Sequence, residues 1–305
     1  MPADSRIVIP KVEFYITNVC NLSCHNCNRY NNYDFKGWQS WNDYKDIFTE
    51  WAKKIQIGHI VILGGEPLLN PTINEWVTGL HGLLSTSIQI VTNGTHLNKV
   101  PGLYDLVRQS KAWIQVSIHN VNDIERHFQN IREFFPEPVE FFQDKNQLDK
   151  FGRSITKGSD YLFQGKQGFW VAASVQDSFY NISIYPNEHN QLTLHNNNPE
   201  DAHRDCGFVK YKNYHFIHGK LYKCGPVALL PEFDQQYPLA ISDEDRTLLN
   251  SYRPLSVDEF DQRGAEFIKH IDDVIPQCKF CPTNFNNQQI FSLNKTAGST
   301  GSFKS

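Results

Sequence analysis

Cys20-Asn-Leu-Ser-Cys24-His-Asn-Cys27 follows directly on Val12-Glu-Phe-Tyr-Ile-Thr17, so three cysteines spaced C-x3-C-x2-C stand on the loop leaving a β-branched and aromatic run. Three thiolates at this spacing can each hold one iron of a 4Fe–4S cluster, leaving the fourth iron without a protein ligand. A structural zinc ion wants four ligands. His25 is a candidate for the fourth, but its place inside the loop makes closure awkward. Three unrelated cysteines sharing one loop is the blander alternative.

Outward from this loop, short β-branched runs alternate with longer amphipathic stretches. Val12 to Thr17 predicts a strand, Asp43 to Ile55 a helix, Ile60 to Leu63 a strand and Ile73 to Leu84 a helix. The cycle repeats with Ile88 to Thr92, Leu103 to Ser110, Trp113 to Ile118, Asp123 to Phe134 and Val139 to Phe142. Strands separated by helices imply parallel pairing, and strands this apolar imply burial on both faces. Ligands then belong at the C-terminal ends of the strands.

The 305 residues suit one large domain or a large one with an appendage. With 40% apolar and 20% charged residues and a net charge of -4, the chain fits neither a disordered protein nor an electrostatic binder of nucleic acid. No apolar run approaches the length of a membrane span, and Met1 to Pro10 lacks a basic region followed by an apolar stretch, so neither a span nor a signal peptide is expected. A cytoplasmic location is therefore expected, where seven cysteines do not ordinarily serve structural disulfides.

The remaining four cysteines, Cys206, Cys224, Cys278 and Cys281, lie in the last third of the chain. Seventeen residues separate the first two, and the last two form a C-x2-C pair. Four thiolates close a metal site completely, and a zinc ion held by four cysteines is one reading. Between the first pair, Tyr214 to Ile217, His218-Gly219 and Lys220 to Lys223 predict a β-hairpin. Val257 to Ile271 predicts a helix with Ser256 as N-cap and Glu259 three residues on. The tail from Asn294 has linker composition, and a disordered segment is expected there. The units expected are 1–145, a bridge over 146–205, a cysteine-bearing unit over 206–293 and the tail over 294–305.

The three-cysteine loop after the first strand resembles the hallmark of the radical S-adenosylmethionine (SAM) superfamily, with the resemblance running from about Lys11 to Gln143. Asn26 stands where relatives usually carry an aromatic residue. Leu63-Gly64-Gly65-Glu66-Pro67 closes the second strand as the family's GGEP motif does, which implies that Gly64, Gly65, Glu66 and Pro67 hold the SAM amino group. Thr92-Asn93-Gly94 resembles the turn that closes the third strand, and Ser117 and His119 close the fourth, implying cofactor contacts from Asn93 and Ser117. Phe151-Gly152-Arg153 faintly resembles an Arg-containing segment that approaches SAM. The implied fold is an α/β partial (β/α)6 TIM-like barrel. The second cysteine set resembles the twitch domain, a shortened SPASM domain, so a small C-terminal α+β twitch domain carrying an auxiliary 4Fe–4S cluster is expected. This domain plan is similar to that of 2-deoxy-scyllo-inosamine dehydrogenase.

The resemblance implies SAM and two 4Fe–4S clusters as cofactors, with Cys20, Cys24 and Cys27 on one cluster and Cys206, Cys224, Cys278 and Cys281 on the other. It also implies a reducing partner such as flavodoxin or ferredoxin, and hydrogen abstraction by a 5'-deoxyadenosyl radical. Three plus four cysteines exhaust the seven, leaving no thiol as hydrogen donor, which favours net oxidation over a cysteine-dependent epimerisation. The expected substrate is a small hydroxylated molecule, sugar or aminocyclitol-like. Modification of a peptide is the alternative, disfavoured here by the nineteen residues that precede Cys20 where leader-binding relatives carry more. A redox-neutral rearrangement and a non-catalytic iron-sulfur or zinc binding module complete the alternatives. Candidate substrate or catalytic contacts at later strand ends are Gln115, His119, Gln143 and Arg153.

Overall fold

The computed structural model describes residues 6–24, 27–109, 111–143, 160–165, 169–176 and 183–283. Strand β1 (Ile7–Tyr15) leads through the cysteine loop to helix α1 (Trp41–Lys54), followed by β2 (Ile55–Leu63), α2 (Ile73–Leu84), β3 (Ile88–Thr92), α3 (Leu103–Arg108), β4 (Ala112–Ile118) and α4 (Ile124–Phe134). Asp43 in the first turn of α1 and Lys53 and Lys54 in its last complement the helix dipole. The strand after α1 begins at Ile55, earlier than the sequence pattern places it, because Ile55 and Ile57 pair with Ile7 and Ile9 of β1.

Further on come β5 (Glu140–Phe142), β6 (Tyr161–Gln164), β7 (Trp170–Val175), β8 (Ile184–Pro186) and β9 (Leu192–Leu194). Helices α5 (Pro199–Arg204) and α6 (Gly207–Lys210), strands β10 (Tyr214–Ile217) and β11 (Lys220–Tyr222), and helices α7 (Gly225–Gln236), α8 (Asp243–Asn250) and α9 (Ala265–Lys269) complete the order. Among the described residues one sheet holds nine strands in the order β11-β10-β1-β2-β3-β4-β7-β6-β5. Strands β1 to β4 are mutually parallel, as are β1 with β10 and β4 with β7. No helix among the described residues is long and apolar enough to cross a membrane.

Two expectations for the sheet are corrected. The fifth predicted strand does not continue the parallel series: β5 lies at the edge and pairs antiparallel with β6, which pairs antiparallel with β7. The slot beside β4 goes instead to β7, whose Val171, Ala172 and Ala173 are fully buried, whereas Glu140 and Phe141 of β5 are exposed. A central position rewards an apolar run that buries both faces, and β5 has none. Nor are β3 and β4 fully buried on both faces, since buried and half-buried residues alternate along them. Ile88, Ile90, Ile114 and Val116 face the helix layer with Trp76, Leu80, Leu103 and Ile131, forming the main core. Glu13, Gln89, Val91 and Ser117, from the other register, line a cavity on the opposite face.

The hairpin forms as its sequence indicates, with His218 and Gly219 both at left-handed φ, 50° and 71°. It is not set apart from the barrel, because β10 pairs with β1 and aligns Glu13 with His215. The predicted helix over Val257 to Ile271 is broken into a 3-10 turn, a π-type turn over Phe260–Gly264 and the short α9. Its capping box is not formed: the Ser256 hydroxyl meets the Glu259 carboxylate at 3.1 Å and makes no side-chain cap bond to the backbone. The tail from Asn294 lies outside the described residues.

Candidate active site and a second cysteine cavity

The backbone leaving β1 and the backbone leaving β2 lie against each other. Gly65 N–H donates to Thr17 O and Glu66 N–H to Val19 O, both at 2.8 Å. A Cβ on Gly64 would collide with Thr17 O, and one on Gly65 with Val19 O, so side chains at these positions are excluded by the neighbouring chain. The diglycine therefore brings the β2 turn directly beneath the segment that presents Cys20.

The turn is locked to the next strand end by Glu66. Its side chain is fully buried, and the carboxylate accepts from Leu68 N–H at 3.0 Å, Thr92 Oγ1 at 2.6 Å and Asn93 N–H at 2.7 Å. Burial pushes its pKa up to about 7 against the pull of these donors. Asn93 in turn donates from Nδ2 to Asn21 Oδ1 at 2.9 Å, and Asn21 Nδ2 donates to Thr95 Oγ1 at 2.8 Å. One polar chain thus joins the cysteine loop to the ends of β2 and β3.

Cys20, Cys24 and Cys27 line a cavity of about 270 Å³ together with Gly64, Gly65, Asn93, Ser117 and His119. Of the residues singled out in the sequence, these eight come together. Glu66 and Pro67 are buried behind the wall and do not line it. Gln143 is exposed after the edge strand β5, and Gln115 donates to Ser174 Oγ at 3.1 Å, so neither borders the cavity. His25, Asn26 and Arg153 lie outside the described residues. His119 Nδ1 stands 2.9 Å from Gln176 O, an acceptor only, which assigns the proton to Nδ1; burial lowers its pKa.

The cavity also holds residues that the sequence reading passed over. Lys11, Glu13 and Arg29 line it, as do Gln89 and Gln176. The available signal was a polar residue at every second position of otherwise apolar strands, Lys11 and Glu13 on β1 and Gln89 on β3. Glu13 is buried, and its carboxylate meets Arg29 Nη2 at 2.5 Å and His215 Nε2 at 2.9 Å. Burial raises the Glu13 pKa, but Arg29 and then His215 outweigh it and hold the carboxyl at about 2.

The four C-terminal cysteines line a second, smaller cavity with Phe208, Lys223, Val227 and Ile275. Cys206 and Cys224 stand at the N-caps of α6 and α7, while Cys278 and Cys281 lie in and just after a 3-10 turn over Pro276–Phe280. No disulfide joins any of the seven cysteines. Burial pushes the Cys281 thiol up to about 12 and raises Cys224 and Cys278 as well, with neighbouring thiols adding to the effect. Lys223, itself buried, donates to Ile271 O at 2.8 Å and Asp273 O at 2.7 Å beside this cavity. Among the described residues no three His, Cys, Asp or Glu are gathered tightly enough for a single ion, and the thiols stand around the cavity wall.

The fold and this cavity define an α/β protein of the partial TIM-like barrel class, with its site at the C-terminal ends of parallel strands. Residues 14–141, less than half of the chain, match the family model of the Radical SAM superfamily, a segment that contains both the three-cysteine loop and the diglycine turn. Among solved structures, the chain is similar to SuiB of Streptococcus suis bound to S-adenosylmethionine, at 17% identity and a TM-score of 0.34 over 43% of this chain and 32% of that one. SuiB bound to the precursor peptide SuiA gives the same identity and score over 43% and 30%. Native anSMEcpe with bound AdoMet is similar at 16% identity and a TM-score of 0.32 over 41% of each chain. The matched part thus spans about a third of SuiB. No curated protein matches the chain.

Proposed function

We propose that the protein is a radical SAM enzyme acting on a small hydroxylated substrate, sugar or aminocyclitol-like, by net oxidation. The observation that carries this reading is the single cavity shared by Cys20, Cys24, Cys27, Gly64, Gly65, Asn93 and Ser117. Three thiols on the cavity wall, with no fourth cysteine beside them among the described residues, suit a cluster that keeps one iron open. The diglycine lets the β2 turn pack against Thr17 and Val19, so that its backbone lines the cavity beside the cysteines. Held by these residues, a cluster with SAM would supply radical chemistry able to remove hydrogen from an unactivated C–H bond.

The chain's own residues then divide the remaining work. Glu66 acts from behind the wall, holding Asn93 and the β2 turn in register. Asn93 and Ser117 present polar groups to the cofactor, while Lys11, Gln89 and Gln176 offer hydrogen bonds to substrate hydroxyls. His119, neutral and protonated at Nδ1, is the base for the substrate hydroxyl proton.

The second cavity, lined by Cys206, Cys224, Cys278 and Cys281, would hold an auxiliary 4Fe–4S cluster, which would accept the electron that remains once the hydrogen atom and the hydroxyl proton have left the substrate. Burial raises the pKa values of the Cys224, Cys278 and Cys281 thiols, which makes them costly to ionise on their own, and metal binding offsets that cost. Lys223 beside them compensates negative charge. A cytoplasmic flavodoxin or ferredoxin completes the scheme as electron donor.

The test is anaerobic reconstitution followed by reduction with dithionite in the presence of SAM. Formation of 5'-deoxyadenosine by the wild type, and its loss in Cys20→Ala/Cys24→Ala/Cys27→Ala, is expected. Its absence when both sites carry iron would return the chain to the class of non-catalytic binding modules.

A further inference from the structure

Resting on the two cluster sites just proposed, we infer that Arg29 and Tyr30 form a junction through which the four-cysteine site positions the Cys20–Cys27 loop. The two residues follow Cys27 immediately in the chain, after Asn28 alone. Each turns away from the loop toward the other cysteine site.

Arg29 is nearly buried, with 11% of its side chain exposed, and lines the first cavity beside Glu13. Its Nη2 is bound to Glu13, whose other partner is His215 on β10, the strand separated by three residues from the helix that Cys206 caps. Its guanidinium lies 5.3 Å over the Phe208 ring, a wall of the second cavity. Its Nη1 is buried without a hydrogen-bond partner. A Cβ added to Gly225, the residue after Cys224, would stand 3.1 Å from that Nη1 and 3.2 Å from His215 Nε2. A cation from the first loop is therefore packed against the residues that follow both Cys206 and Cys224.

Tyr30 makes the second connection. Its backbone is held at φ 61°, a left-handed conformation costly for a residue with a Cβ, and its N–H donates to Cys27 O at 3.0 Å. The side chain is buried, with its ring 5.5 Å from Phe233 of α7, the helix that Cys224 caps. Strain of this kind persists only where surrounding contacts over-determine it, and here those contacts come from the second site's framework. Arg29 and Tyr30 are positioning residues on this view; neither is asked to touch substrate.

Coupling of this kind is measured by a double-mutant cycle. The readout is SAM affinity of the anaerobically reconstituted protein, followed through the change SAM makes in the EPR signal of the reduced first cluster. In the wild type, Cys278→Ala/Cys281→Ala is expected to weaken SAM binding by about tenfold, a typical coupling between sites. In Arg29→Met the same pair of changes is expected to have little further effect, with Arg29→Lys intermediate because it keeps the charge and loses the planar stack. Gly225→Ala leaves all seven cysteines in place and serves if the cysteine variant does not fold: it should weaken SAM binding in the wild type and not in Arg29→Met. Independent, additive effects in these cycles, or unchanged SAM affinity in both Cys278→Ala/Cys281→Ala and Gly225→Ala, would overturn the junction. A wild type whose first cluster does not respond to SAM would instead overturn the function on which it rests.

Discussion

Glu66 and Asn93 are joined by a 2.7 Å hydrogen bond from the Asn93 N–H to the Glu66 carboxylate, which ties the end of β2 to the end of β3 from behind the cavity wall. The acidic residue of the GGEP turn is thus occupied with three donors of the protein itself. Glu66→Ala leaves Leu68 N–H, Thr92 Oγ1 and Asn93 N–H without their acceptor. A loss on the order of 1–3 kcal/mol is expected, the cost of leaving buried donors unsatisfied, which does not add fully over the three. Urea unfolding of the variant measures it, and unchanged stability would show that water replaces the carboxylate.

Gly65→Ala directs a methyl group into Val19 O, and the neighbour is backbone that cannot rotate away. The cysteine loop must shift, so iron at the first site should fall while the second site, which lies apart from this contact, fills normally. Iron per chain with EPR of the reduced protein distinguishes the two. Equal loss at both sites would mean that the clash disrupts the whole barrel.

The two-cluster arrangement itself has a numerical signature. Reconstituted wild type is expected to carry about eight irons, falling to about four when Cys20, Cys24 and Cys27 are all replaced by Ala. A variant that holds zinc and no iron would make the C-terminal site structural, and a redox-neutral reaction would become the leading reading.

Stability should depend on Glu13 in acid. Its carboxyl titrates near 2 in the folded chain against an ordinary 4.5, so the ionised form stabilises the fold fully above about pH 4.5 and the contribution is lost as pH falls from there toward 2. Glu13→Gln should be less stable than wild type by on the order of 3 kcal/mol at neutral pH, with the gap closing across that acid window. Urea unfolding of the metal-free proteins at a series of pH values would test it; a gap that stays constant with pH excludes the ion pair as its source.

His119→Ala separates cofactor chemistry from substrate chemistry. The variant should still form 5'-deoxyadenosine while oxidised product falls about 100-fold or more, the usual contribution of a general base. Equal loss of both products would place His119 in cofactor binding instead.

Much of the site was legible in the sequence because its parts are local. The spacing Cys20, Cys24, Cys27 and the pair Gly64-Gly65 each encode a backbone or donor requirement within a few residues, and each follows a strand whose apolar run is readable alone. The hairpin at His218-Gly219 was readable for the same reason, its turn chemistry being contained in two residues. Gln143 misled because a polar residue at a strand end means a barrel mouth only if the strand is in the barrel, and β5 is at the edge.

By itself, then, the sequence determined the cysteine spacings, the glycine turn and the parallel order of β1 to β4, all consequences of near neighbours. Only the tertiary structure decided that β7 rather than β5 stands beside β4, that β10 stands beside β1, and that Glu13 meets His215 across that last pairing. These choices depend on which distant apolar run buries its faces best and on which buried charge finds a partner. Both are comparisons among all the segments of the chain, and no one segment contains the answer.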